Sequence, residues 1–266
     1  MGSKGYILRD SATNKMVASD MPTMPHATVS SGITQTVIAT TVAYPVLFEE
    51  TPDVLDINRA GGTVSISSGS PCTVTCVAPN TFLLVAGTPI QFTVLSDITK
   101  GISLDTVYYV TVVSGNTFKL SSTIALARAG TANINTTGAI TGTYDCVSRL
   151  YFNTPGDYLV AISALLDSTG GGGTQQMDLW FVKGNSTSDL VGTPVANSNT
   201  KCATVSSSVQ FPIAVVLIID VVAGDFLRLD YHGDSTSLRL PAFAASGSPT
   251  VPAAPSIIMA VNFIGS

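Results

Sequence analysis

The stretch Val209-Gln-Phe-Pro-Ile-Ala-Val-Val-Leu-Ile-Ile-Asp-Val-Val-Ala-Gly-Asp-Phe-Leu-Arg-Leu-Asp230 decides the fold class. Its run from Phe211 to Ile219 is β-branched and almost wholly apolar, too short to cross a bilayer as a helix, and closed by Asp220. Ala223-Gly224-Asp225 supplies a turn. Phe226, Leu227 and Leu229 follow, with Arg228 and Asp230 alternating on the other face as in a half-buried strand. This pattern predicts a hairpin whose first strand is buried on both sides. Such a strand needs a second sheet, or a neighbouring subunit, over its outer face.

The flanking sequence is β-like throughout. Residues 149–162 read as two strands around a Pro155-Gly156 turn, and 177–182 as another, ended by Lys183-Gly-Asn-Ser. Ser168 to Thr174, with four consecutive glycines, reads as a loop, 186–208 as a long polar connection, and 256–264 as a terminal strand. Upstream, Val29, Ile33, Val37, Ile38, Val42, Val46 and Phe48 give residues 28–48 the same character. Between 60 and 144 Gly, Thr, Ser and Asn dominate, with short strands expected at 73–77, 82–85, 90–95, 107–113 and 118–120. That segment reads as a compact all-β module. No stretch has the periodicity of a long amphipathic helix.

The chain is 266 residues long, enough for one large or two smaller β domains. Only 11% of residues are charged and 45% are hydrophobic. That charge density is low for a free monomer; it fits either a Ser/Thr-rich β surface that is polar without being charged or, the reading preferred here, a subunit that hides surface in an oligomer. A net charge of −5 and the lack of any basic run argue against nucleic-acid binding. Residues 1–8 lack the apolar core of a signal peptide, and Tyr6 stands where a myristoylation motif has Ser or Thr.

The four cysteines, Cys72, Cys76, Cys146 and Cys202, do not make a disulfide framework at this length. Cys72 and Cys76 share a strand face, but no second pair or nearby His completes a metal site, so free buried thiols are expected. The leader before residue 28 is too poor in large apolar residues to fold alone. Tyr6, Ile7, Leu8, Met16, Met21 and Met24 are its candidate anchoring contacts.

The order Tyr151-Phe-x-x-Pro-Gly-Asp-Tyr-Leu-Val160, Leu179-Trp-Phe-x-Lys-Gly-Asn185, then a long apolar strand into Ala223-Gly-Asp-Phe-Leu-Arg-Leu229, resembles the complement C1q/tumour-necrosis-factor jelly roll. The closing Pro255-Ser-Ile-Ile-Met-Ala-Val-Asn-Phe-Ile264 fits too. More narrowly, the chain is similar to jelly-roll virion proteins of tailed bacteriophages, which carry the same Pro252-Ala-Ala-Pro-Ser-Ile-Ile258 ending. Gly87-Thr-Pro-Ile-Gln-Phe-Thr93, Val107-Tyr-Tyr-Val110 and Gly115-Asn-Thr-Phe-Lys-Leu120 resemble a small β repeat of phage structural proteins. The resemblance implies an all-β, C1q/TNF-like jelly-roll sandwich (28–59 and 146–266) with an inserted small β domain (60–145) and an extended N-terminal arm (1–27). The insertion is a departure from eukaryotic members. It also implies a tight homotrimer, with Tyr158, Phe211, Val215, Leu217, Phe226, Leu229 and Phe263 divided between core and trimer seam.

Catalytic constellations are weak. His26 and His232 are the two histidines, and Tyr231-His-Gly-Asp234 reads as a polar surface turn, not as a base with an orienting carboxylate. Glu49-Glu50, beside Pro52, reads as a solvated pair in a loop. The Gly170–Gly173 run lacks the Lys-Ser/Thr of a phosphate loop. Asp220, Asp225, Asp230 and Asp234 read as strand-end charges, although some C1q-like trimers hold calcium. The expected function is therefore non-enzymatic, with no cofactor, metal or membrane insertion. It is a trimeric virion protein that decorates or cements the head shell against the major capsid protein or another virion protein. The alternative is a tail-fibre or spike tip recognising the host surface.

Overall fold

The structure, a computed structural model, describes residues 7–9, 16–18, 24–59, 61–77, 84–104, 106–170, 173–204, 210–246 and 253–265. Its two main sheets face each other as a jelly-roll-like sandwich. The front sheet runs Gln35–Thr36, Leu238–Leu240, Gly156–Ser168, Ile257–Gly265, His26–Ser31, Glu50–Leu55, with Phe211–Val221 on the other side of Gly156–Ser168. The back sheet runs Asp189–Pro194, Gln175–Asn185, Asp225–Gly233, Leu150–Phe152, Ile57–Asn58. Thr200–Thr204 also pairs with Gln175–Asn185, and Tyr44–Pro45 with Asp225–Gly233.

Alternation along these strands builds one core. Tyr158, Val160, Ile162 and Leu166 point inward from the front sheet, and Leu179, Phe181, Leu227, Leu229 and Tyr231 meet them from the back. Burying each such side chain contributes about 1.5–3 kcal/mol before chain entropy is subtracted. Rings set the spacing at one end: Tyr158 lies 4.8 Å from Phe152 and 5.3 Å from Phe263, both edge-on.

A closed six-strand barrel lies between two paired back-sheet strands, Ile57–Asn58 and Leu150–Phe152. Its strands are Gly61–Ile66, Val74–Cys76, Pro89–Leu95, Val107–Ser114, Thr117–Ser121 and Ile140–Cys146. First and last pair directly, Gly61 opposite Asp145, so the chain enters and leaves side by side. A Cβ at Gly61 would stand 1.8 Å from the Tyr144 carbonyl oxygen, so only glycine permits this closure. Phe92, Phe118 and Tyr144 fill the interior with Val110 and Leu120.

A short helix, Ile124–Arg128, joins the two bodies. Thr123 caps it by accepting a hydrogen bond from Leu126 N. Ile124 enters the sandwich core, and Arg128 Nη2 donates to the Ala43 carbonyl at 3.0 Å.

Several sequence expectations are corrected. Phe211–Val221 and Asp225–Gly233 do not form a hairpin; the turn between them carries the chain from the front sheet to the back. Gly224, at φ 86°, donates to the Phe152 carbonyl, and Asp225 accepts from Val222 N, which fixes that crossing. The polar 186–208 region contains two strands, and Gln175–Asn185 continues through Lys183. Glu50 begins a strand. Leu84 and Val85 are not in a strand, and residues 82–83 lie outside the described residues.

Candidate functional site

The apolar strand has one buried face, not two. Ile213, Ile219 and Val221 are buried, and Val215 and Leu217 are half-buried against the core. The alternate residues point away from the sandwich, with Val216 and Ile218 64% and 61% exposed. Register extends this surface across three strands. Ile218 lies beside Leu159, and Val216 beside Ala161, which in turn lies beside Ala260. Ser163 separates Ala214 from exposed Ile258 in the next row.

The result is a nearly uncharged face of small and branched apolar side chains, bounded at one end by Asp157 opposite Asp220. It fades on the next strand, where Thr28 and Ser30 oppose Ala260 and Ile258. The Phe211–Val221 strand pairs with another strand on one side only among the described residues; on its other side Lys183 Nζ donates to the Asp220 carbonyl at 3.0 Å, and the rest of the edge has no strand beside it among those residues. A long apolar edge beside an apolar face is what proteins avoid unless something covers it.

The seam or core candidates separate accordingly. Tyr158 and Leu229 are in the sandwich core, while Val215, Leu217 and Phe263 pack partly against it. Phe226 is fully buried but on the outer side of the back sheet, in a small cluster with Tyr151. Phe211 is exposed at the start of the open edge. Val216, Ile218 and Ile258, the centre of the exposed face, were not anticipated. For Val216 and Ile218 parity was the available signal, because it is the one that ends in Asp220. Of the arm candidates, Met24 is exposed. Ile7, Leu8 and Met16 fall in the paired strands Ile7–Arg9 and Met16–Ala18, whose backbone alone is described. Tyr6 and Met21 lie outside the described residues.

Most of the candidate chemical groups have a structural partner, and Asp220 is exposed at the end of its strand. His232 is not in a surface turn. It lies half-buried in Asp225–Gly233, with Nε2 2.8 Å from the Thr40 carbonyl oxygen. Asp234 accepts from Gln176 N, so the two do not form a pair. Asp230 takes Arg228 at 2.6 and 2.8 Å, and Asp225 accepts from Asn185 at 2.8 Å. Glu49 accepts from Ser31 and Ile33 N, and Glu50 from Ser30. Among the described residues no three His, Cys, Asp or Glu side chains group as a metal site. All four cysteines are free and buried. Burial pushes the Cys146 thiol up to about 12, which keeps it neutral and unreactive. Within the Gly170–Gly173 run, residues 171–172 lie outside the described residues.

No family model and no curated protein matches the chain. Solved structures similar to it include the globular domain of zebrafish complement 1qA protein, at 10% identity and TM-score 0.34 over 91% of this chain and 97% of that one. Another is Eiger TNF from S. frugiperda, at 10% identity and TM-score 0.29 over 78% and 96%. A third is a pentameric capsid protein isolated from metagenomic phage sequences, at 16% identity and TM-score 0.24 over 45% and 57%. The all-β, jelly-roll-like sandwich itself is established by the strand pairing described above.

Proposed function

We propose that the chain is a non-enzymatic structural subunit of a tailed-bacteriophage virion, associating as a homotrimer through the outer face of the front sheet and decorating or cementing the head shell. The observation that carries this reading is the exposed face of Val216, Ile218, Leu159, Ala161 and Ala260 beside an open edge strand. Covering such a face with copies of itself removes apolar surface from water at about 25 cal/mol per Å². It also accounts for a chain that is only 11% charged.

The trimeric number and the phage setting rest on the sequence resemblance, in the jelly-roll motifs, the phage-type barrel motifs and the 252–258 ending. The non-enzymatic reading is supported by the separate structural partners of His232, Asp234, Asp225 and Asp230. On the particle, the major capsid protein or another virion protein is the partner. The N-terminal arm would bridge shell subunits, each few hundred Å² of apolar cover being worth several kcal/mol at about 25 cal/mol per Å² before ordering costs.

The test is to add purified protein to heads that lack it and to measure bound copies and the temperature at which heads rupture. Saturable binding in multiples of three, with a raised rupture temperature, is expected. Failure to bind heads, together with binding to host cells, would replace decoration by the receptor-binding alternative.

A further inference from the structure

We propose that the cavity at the joint between the barrel and the sandwich binds a neutral single-ring molecule, an aromatic compound carrying one hydroxyl or carbonyl oxygen. Three tyrosines line this cavity. Tyr44 and Tyr231 face each other on the paired strands Tyr44–Pro45 and Asp225–Gly233, with ring centroids 5.7 Å apart and planes tilted by 33°. Tyr109 comes from the barrel strand Val107–Ser114 and packs partly against the sandwich core, which also contains Ile124 of the short helix. Ile33 and Ile38, 42% and 64% exposed, form the mouth.

The polar groups around the cavity divide into two sets. Gln35 is spent on holding the neighbouring segment: its Nε2 donates to the Leu47 carbonyl at 3.1 Å, and its Oε1 accepts from Leu47 N at 2.8 Å. Thr34 Oγ1 accepts from Ala242 N at 3.0 Å, and the Tyr231 hydroxyl donates to the Thr36 carbonyl at 3.1 Å. The hydroxyls of Tyr44 and Tyr109, by contrast, have no hydrogen-bond partner among the described residues. Tyr44 is 6% exposed, and burial alone raises the Tyr109 phenol above its ordinary value, which keeps it a neutral donor. A buried hydroxyl without a partner is costly, and an oxygen brought in by a ligand relieves that cost. Arg128 interacts electrostatically with Tyr44 but does not line the cavity; Asp230 favours its charge more strongly, and its Nη2 is held by the Ala43 carbonyl.

Chemistry and size select the ligand. None of the residues lining the cavity is charged, so an ionised ligand would lose its hydration with nothing to replace it. The volume is about 220 Å³. That exceeds the roughly 150 Å³ in which an apolar cavity holds benzene and falls short of the roughly 300–1,000 Å³ typical of larger ligands. One ring with a small substituent fits. The tyrosine rings in the wall offer the tilted and edge-on packing that aromatic pairs prefer. A sugar would bring more hydroxyls than two phenols can satisfy. Val216, Ile218 and the rest of the outer front face do not line the cavity, so the inference stands whether or not the protein is a virion trimer.

Saturation-transfer NMR titrations of the full chain with benzyl alcohol, toluene, benzoate and glucose test it. Benzyl alcohol should bind saturably and several-fold more tightly than the other three. Tyr109→Phe keeps the ring and removes the hydroxyl. It should weaken benzyl alcohol binding roughly fivefold, leave toluene unchanged and retain the thermal midpoint. Ile38→Asp, at the exposed mouth, should weaken both benzyl alcohol and toluene without disturbing the core. No saturable binding of benzyl alcohol, equal affinity for toluene, tighter binding of benzoate or glucose, or one benzyl alcohol affinity shared by the wild type and both variants would overturn the proposal.

Discussion

The two sheets of the sandwich share one core and differ almost completely on their outer faces. The back sheet turns Asp178, Trp180, Arg228, Asp230 and His232 outward, Arg228 pairs with Asp230 and Lys201 lies 3.8 Å from Asp178, and extra strands flank Gln175–Asn185. The front sheet turns Leu159, Ala161, Val216, Ile218 and Ala260 outward and, among the described residues, ends in a strand paired on one side only. The inward half of each strand has one task, to fill the core. The outward halves record what each sheet meets, which is water and the barrel for one and, in our account, other subunits for the other.

Neighbouring residues of one type give the sharpest way to break this comparison. Ile219 and Ile218 are adjacent on the same strand, 4% and 61% exposed. Ile219→Ala should cost about 2–5 kcal/mol by denaturant unfolding, whereas Ile218→Ala, studied where the chain is monomeric, should change stability by no more than about 0.5 kcal/mol. Equal losses would mean that the outer face is packed within the monomer.

The next effect is alkaline. Burial raises the Cys146 thiol from 9.0 to about 12 and the Tyr151 phenol from 10.0 to about 12, both beside the barrel junction. Both groups are raised in the folded state, so the stability they contribute is whole below pH 9 and is lost as pH climbs towards 12. The thermal midpoint should fall over that window. Cys146→Ala should flatten the fall, while changes on the front outer face should leave it unaltered.

The smallest effect concerns the joint. Thr123→Ala removes the cap of the Ile124–Arg128 helix and should cost about 1 kcal/mol. Limited proteolysis should then cut near the barrel junction faster than in the wild type, with the sandwich itself equally resistant.

The sandwich class was legible because period-two alternation survives in the 150–160, 177–182 and 226–230 segments, and their inward residues are those the structure buries. The crossing at Ala223-Gly-Asp225 was not legible as such. A tight turn serves a hairpin and a sheet change equally, and the deciding hydrogen bond from Gly224 to Phe152 joins residues far apart in sequence. The outer face was half legible. Both parities of Phe211–Val221 are apolar, so composition announced a covered strand without saying which side the molecule leaves open. Asp189–Pro194 and Thr200–Thr204 were hidden by their polarity, since they lie at the margin of the back sheet and carry few core side chains.

The measurement closest to the central claim is mass by light scattering, on the wild type and on Val216→Asp/Ile218→Asp. The account predicts about three times the 27.4 kDa chain mass for the wild type. It predicts a folded monomer for the variant, because two carboxylates cannot be buried unpaired in an apolar seam. A wild-type monomer at all accessible concentrations, or a trimer unchanged by the double substitution, would contradict it.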